Sequence, residues 1–362
     1  MKIQREFISA RKIENNIELS NLQTGQKIIV NQYTYELILK MVETYPEYID
    51  IDNSEEDLIL EYLKEINLLE TDSKYTLPPL TKPKILLSNR NSDANIVFMG
   101  VPYDAGSTGP TGSKTAPGYF RNYFSGVSKS YNNLLMENCD YQYRSNILGR
   151  VKDIGDVLYL PGESIVDFQD RVKQVISLYS SSKIIVMGGD HSISNSVVEA
   201  LTNDSDQKII FMKFDAHYDC SGTSKNMPLN HHNYIEKIRG YIRVNEIIHI
   251  GVREPMLPFY NICDDIVLTK FEDFMQYLSK INNNNIYISI DIDVLEPLEN
   301  PGTGYQVPEG FEIKELLKYL DSLKNHNIIG ADIVEYNPLL DKNNESFYNV
   351  KKIFEKLVEI ME

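Results

Sequence analysis

From residue 94 onward, short apolar runs alternate with stretches whose apolar residues recur every three or four positions. The runs at 95–99, 183–187, 208–213, 246–250, 285–290 and 327–333 are rich in Ile and Val and apolar on both faces. Strands covered by helices on both sides have that character. Helical spacing fills 167–180, 194–201, 271–280, 313–323 and 347–361. Strand and helix in alternation predict a parallel α/β sheet between helices. The stretch 125–149 is polar, rich in Asn and Tyr, and predicts no element.

The first eighty residues read differently. Strand-like stretches at 16–20 and 27–30 flank Gln23-Thr24-Gly25, a hairpin turn. Tyr35, Leu37, Ile38 and Met41 then fall at helical spacings, and Asn53-Ser54-Glu55-Glu56 opens a further helix carrying Leu58, Leu60, Leu63 and Ile66. This pattern predicts a small α+β unit of winged-helix type over residues 1–80. A linker at 81–93 follows the prolines Pro78 and Pro79 and contains Pro83, and the large domain occupies 94–362.

A chain of 362 residues, with 42% hydrophobic and 24% charged, can bury one large core and one small one. No apolar run is long enough to span a membrane. Met1 to Arg11 interleaves charges with apolar residues and lacks the apolar centre of a secretory signal. Cys139, Cys220 and Cys263 are odd in number and far apart, which suggests no disulfide framework. The expected location is the cytoplasm. A net charge of −16 argues against nucleic acid as a partner and leaves cationic substrates or metal ions.

The His and carboxylate residues stand just beyond predicted strand ends, in Gly188-Gly189-Asp190-His191-Ser192, Asp215-Ala216-His217-Tyr218-Asp219, Asp291-Ile292-Asp293 and Glu335-Tyr336-Asn337-Pro338. Carboxyl ends of parallel strands share one edge, where ligands bind. An extended backbone aims Asp215, His217 and Asp219 to one side, and Asp291 and Asp293 likewise. Four carboxylates gathered there repel unless cations neutralise them. With His191 and His217 the donors are imidazole and carboxylate, without thiolate, which suits a pair of manganese ions over zinc. Such a pair lowers the pKa of a shared water. Taken singly, each motif is more often a turn or a helix cap; it is their convergence that carries chemistry.

Gly188–Ser192, Asp215–Asp219 and Ser289–Pro297 resemble the three signature motifs of the ureohydrolase family of arginases, agmatinases and formimidoylglutamases. Gly100-Val101-Pro102-Tyr103-Asp104, Gly112, Ala116-Pro117 and Asp153–Val157 fit that family's early segments, so the resemblance covers 94–362. It implies a three-layer α/β/α fold and two Mn²⁺, one held by His191, Asp215, Asp219 and Asp293 and the other by Asp215, His217, Asp219 and Asp291. Glu335 stands where family members pair a carboxylate with the substrate guanidinium. A planar fork of N–H donors is well met by such a carboxylate. His231 matches a proton-shuttling histidine, with His232 as runner-up. The implied reaction is attack of hydroxide on the guanidinium carbon with release of urea. Glu296 departs from the family's usual Asp before Pro297.

In the family, enzymes acting on free arginine hold its α-groups through an Asn and acidic residues. Ser221 and Gly251-Val252-Arg253-Glu254 take those places here, so Ser221, Asn233 and Glu254 are the candidate substrate contacts and free arginine is disfavoured. Residues 1–80 resemble the precursor-peptide recognition domain of ribosomal peptide biosynthesis, related to the pyrroloquinoline-quinone chaperone, which captures a leader peptide as an added strand. Together the two resemblances imply a peptide arginase that converts arginine side chains of a precursor peptide to ornithine. A small-molecule ureohydrolase with a regulatory N-terminal unit is the alternative. A non-catalytic peptide binder, or a deacetylase with a single zinc, stands further off. The sequence leaves room for a homo-oligomer.

Overall fold

The computed structural model describes residues 2–3, 8–21, 27–44, 63, 69–70, 80–81, 94–124, 150–159, 164–203, 208–221, 228–256, 265–281 and 284–362. The chain divides into two compact units, the first spanning Met1–Lys82 and the second holding the described residues from Ala94 onward. The expected turn at 23–25, the stretch 125–149 and the linker from residue 82 lie outside the described residues. So does most of the helix expected from Asn53, of which only Leu63, helical and buried, is described.

In the first unit, strands β1 (Ile8–Ile13), β2 (Asn16–Asn21) and β3 (Lys27–Asn31) form an antiparallel sheet followed by helix α1 (Gln32–Thr44). In β3 the alternation is strict: Ile28 and Val30 point inward, Lys27, Ile29 and Asn31 outward. These two join Ile17, Leu19, Ile38 and Leu63 in a small apolar core. The Asn31 side chain accepts the Thr34 N–H at 2.8 Å and caps α1. Strand β1 was not expected, because Ser9, Arg11 and Lys12 break its apolar pattern.

The second unit is an eight-stranded parallel sheet between helices. Its strands are β4 (Ile96–Val101), β5 (Val151–Val157), β6 (Lys183–Gly188), β7 (Ile209–Phe214), β8 (Val244–Ile250), β9 (Ile266–Leu268), β10 (Asn285–Asp291) and β11 (Asn327–Val334). Their order across the sheet is β9-β8-β7-β10-β11-β6-β4-β5, every neighbouring pair parallel. Helices α2 (Ala116–Phe124), α3 (Ile165–Leu178), α4 (Ile193–Asn203), α5 (Tyr234–Arg239), α6 (Phe271–Leu278) and α7 (Ile313–Asp321) lie between them in the chain, and α8 (Glu345–Met361) follows the last. Helix α8 buries Val350, Ile353, Phe354, Leu357, Val358 and Met361, the three-and-four spacing of one helix face. No helix among the described residues is long and apolar enough to cross a membrane.

The six strands expected from apolar runs are present, and β5 and β9 are added to them. Strand β9 is only three residues long. In β5 the apolar run is interrupted by Asp153 and Asp156, which the structure explains: buried Arg121 from α2 pairs with Asp153 at 2.7 and 2.9 Å and also with Asp156. A buried charge is tolerated where it is paired in this way.

Candidate dinuclear metal centre

Strands β7, β10, β11 and β6 are consecutive neighbours, so the four motif-bearing loops leave the sheet side by side at its carboxyl edge. The turn after β6 is held tightly. Gly189 donates to Val101 O and Asp190 to Tyr103 O, and a Cβ on Gly189 would stand 1.8 Å from Tyr103 O. Only glycine passes there. Buried Asp190 accepts the N–H of Gly106 and of Ser192, fastening the 104–109 loop beside the cleft.

Three of the aspartates share one arrangement, in which one oxygen is tied to a backbone N–H and the other is offered to the cleft. Asp215 Oδ1 accepts from His217 N, Asp291 Oδ1 from Asp293 N, and Asp293 Oδ1 from Ala216 N. The second oxygens converge on imidazoles. His191 Nδ1 lies 3.0 Å from Asp215 Oδ2, 3.3 Å from Asp291 Oδ2 and 3.4 Å from Asp219 Oδ2. His217 Nδ1 lies 2.8 Å from Asp293 Oδ2. Two donor groups result, His191–Asp215–Asp291 and Asp215–His217–Asp293, with Asp215 common to both. The third-motif aspartates are thus distributed the other way from the expectation. Asp291 ends its strand facing His191, whereas Asp293 sits one short turn further on, tied to Ala216 beside His217.

His191 Nδ1 and Asp215 Oδ2 are buried and face each other at 3.0 Å without a hydrogen bond, and only the Lys213 ammonium, 3.1 Å from Asp215 Oδ2, offsets the charge there. Buried polar groups are rarely left so, and a cation between them satisfies both. The electrostatics agree. Burial, then the charges of Asp293 and Asp215, hold Asp291 far above the carboxylate range, and burial with Asp215 pushes Asp293 up to about 6. Burial opposes a charged His217, yet its contacts with Asp215 and Asp293 raise it to about 12. The metal-free cleft therefore traps protons where cations belong.

Behind the donors runs a polar register row. His249, Lys213, Ser289 and Asp332 are cross-strand neighbours on β8, β7, β10 and β11, all fully buried. Ser289 Oγ lies 2.8 Å from His191 Nε2 and donates to Asp332 at 2.7 Å; Tyr234 OH also reaches His191 Nε2 at 2.7 Å. These hydroxyls fix the ring so that Nδ1 faces the cleft. Lys213 Nζ pairs with Asp219 at 2.8 Å and Asp215 at 3.1 Å. The signal for Lys213 was present in the sequence as one charge in an otherwise apolar strand, and it was passed over.

Glu335 and Asp219 adopt left-handed backbone, φ 62° and 52°. For residues other than glycine this costs about 1–3 kcal/mol and gathers at functional sites. Glu335 N donates to Gly189 O, and its Oε1 accepts the His191 N–H and lies 3.0 Å from His231 Nδ1. The Thr108 N–H donates to His231 Nε2 at 3.0 Å, which places the ring proton on Nδ1, toward Glu335. Glu335 draws the His231 pKa upward against its burial, while the Thr108 N–H favours the neutral ring. His232 Nε2 and Tyr305 OH meet Thr108 Oγ1 at 2.7 and 3.1 Å.

The metal donors other than Asp215 line one cleft together with His231, His232, Thr303, Tyr305 and Glu335. Three expected substrate contacts are engaged elsewhere. The Ser221 hydroxyl donates to His232 O, Asn233 Nδ2 to Pro228 O, and Glu254 accepts the Tyr218 N–H; none of them lines the cleft. Thr108, Thr303 and Tyr305 were missed, since nothing local distinguishes a loop Thr or Tyr that tertiary packing brings over a site. Glu296 accepts the Gly310 N–H at 2.8 Å, away from the donors.

Residues 94–358 match the arginase family. The agmatinase of Blochmanniella floridana is 32% identical over 259 residues, 68% of this chain and 81% of that protein. Among solved structures, the agmatine ureohydrolase of Thermoplasma volcanium superposes with TM-score 0.63 at 22% identity, over 80% of this chain and 96% of that one. Proclavaminate amidino hydrolase from Streptomyces clavuligerus gives 0.64 at 21% identity, over 78% and 96%. The chain therefore belongs to the arginase family, metal-dependent ureohydrolases that act on carbon–nitrogen bonds of amidines.

Proposed function

We propose that this protein is a manganese-dependent peptide arginase, hydrolysing arginine side chains of a precursor peptide to ornithine and urea. The guanidinium part rests on Glu335, whose carboxylate borders the cleft beside the donor groups. His191, Asp215, Asp219 and Asp291 would hold one ion, and Asp215, His217 and Asp293 the other. Oxygen and imidazole donors suit manganese. Bound there, the ions supply a water of lowered pKa.

The remaining work falls to the chain. Glu335 accepts guanidinium N–H bonds and orients the fork. Oxygen from water bonds to the guanidinium carbon, and the bond from that carbon to the side-chain nitrogen breaks. Both water protons end on the departing amine, with His231 Nδ1 placed to carry one of them. The products are the ammonium and urea.

The peptide part is supported by two features. The family match leaves the first 93 residues outside it, and these include an antiparallel sheet of the kind that accepts a peptide as an added strand. Ser221 stands where the family's free-arginine enzymes carry an Asn, and its hydroxyl donates to His232 O, so that contact to a free α-carboxylate is missing. The names of the relatives favour a second reading, a small-molecule ureohydrolase acting on agmatine. Manganese-loaded protein offered a leader-bearing peptide with an internal arginine, free arginine and agmatine separates the two. The expected result is loss of one cyanamide unit per arginine from the peptide, suppressed by excess leader alone. Efficient agmatine turnover with an inert peptide would select the second reading.

A further inference from the structure

Strand β7 reads Ile-Ile-Phe-Met-Lys-Phe, and its every side chain is buried. Lys213 is the one charge in it and is 0% exposed. Its ammonium does not reach water. It lies 2.8 Å from Asp219 Oδ2 and 3.1 Å from Asp215 Oδ2, donates to His217 O at 2.8 Å, and stands 5.6 Å from the Tyr234 ring centre. All three residues it touches through oxygen belong to the second signature motif, two of them through the side chains that would ligate metal.

We propose that Lys213 is a positioning residue, a resident counter-cation that holds Asp215 and Asp219 in their ligating places before metal arrives. The proposal rests on the dinuclear reading of the cleft. Four buried carboxylates within one cleft repel one another, and burying such charges unpaired is costly. A fixed ammonium 2.8 Å from Asp219 Oδ2 and 3.1 Å from Asp215 Oδ2 offsets one of these charges. It also anchors the oxygens from the sheet side, since β7 and its neighbours β8 and β10 keep the lysine stem in register with His249 and Ser289. Metal loading then supplies the remaining positive charge. The lysine thus matters most when the cleft is empty of metal.

The test compares the full-length parent, Lys213→Met and Lys213→Met/Asp219→Asn by thermal unfolding, each metal-free and manganese-saturated, with metal content by elemental analysis. Expected is a fall of roughly 5–10 °C in the metal-free midpoint of Lys213→Met, and less than half that fall when loaded. The double variant, with one carboxylate fewer, should recover part of the metal-free loss. Equal falls in both states, a double variant no better than the single one, or a single variant that folds in neither state would each overturn the proposal. A parent that keeps no manganese and gains no stability from it would instead overturn the dinuclear reading.

Discussion

At the scale of single residues, Glu335 and the third-motif aspartates do separable jobs. Glu335 touches backbone and His231 but belongs to neither donor group. Glu335→Gln keeps the shape and loses the charge that meets a guanidinium, so urea release should fall about 100-fold or more. Manganese content should stay at the parent's level; a variant with unchanged kcat/KM would remove Glu335 from substrate binding. Asp293→Asn should do the opposite, costing one metal ion per chain by elemental analysis along with activity. Retention of both ions would reassign the His217 group. The trapped protons give a pH dependence as well. Against their burial, the carboxylate neighbours draw His191 upward and His217 up to about 12, so the donor groups hold protons in the metal-free protein. Binding must displace them, so manganese affinity should rise with pH and loading should acidify a weakly buffered solution. Titration that detects no proton release would contradict the assignment.

At the scale of elements, the strand ends were readable because buried parallel strands are continuous apolar runs, and the polar residues that end them stand out. The row behind them was not readable in the same way. Lys213, Ser289 and Asp332 lie in different strands, and only the register of β7, β10 and β11 makes them neighbours. Ser289→Ala removes the hydroxyl that links His191 to Asp332 and should weaken manganese affinity roughly 10–100-fold, measured against a competing chelator. Affinity equal to the parent's would show that Tyr234 alone orients the ring. The loop at 104–109 taught a similar lesson. Its Thr108 reaches both His231 and His232, yet the two histidines are 123 and 124 residues away along the chain.

For the whole molecule, folding and metal binding are coupled, because the donors come from strands that meet only in the folded sheet. Stripping the metal should lower the melting midpoint by roughly 5–10 °C, and manganese should restore it. An unchanged midpoint would mean the cleft is already satisfied without cations. The N-terminal unit adds a second coupling if it captures a leader. Appending that leader to an arginine peptide should then raise kcat/KM by roughly 100-fold or more through local concentration, and an equal rate with a scrambled leader would exclude it.

The order of residues along the chain was enough to place strands, the four motif loops and the donor types. Those properties are local: apolar periodicity selects the element, and side-chain chemistry selects what it can bind. Which aspartate faces which imidazole, which oxygen of each is free, and which lysine sits behind them were settled by packing. They depend on register between strands up to 144 residues apart, as for Glu335 and His191, and on whether a buried charge finds its partner.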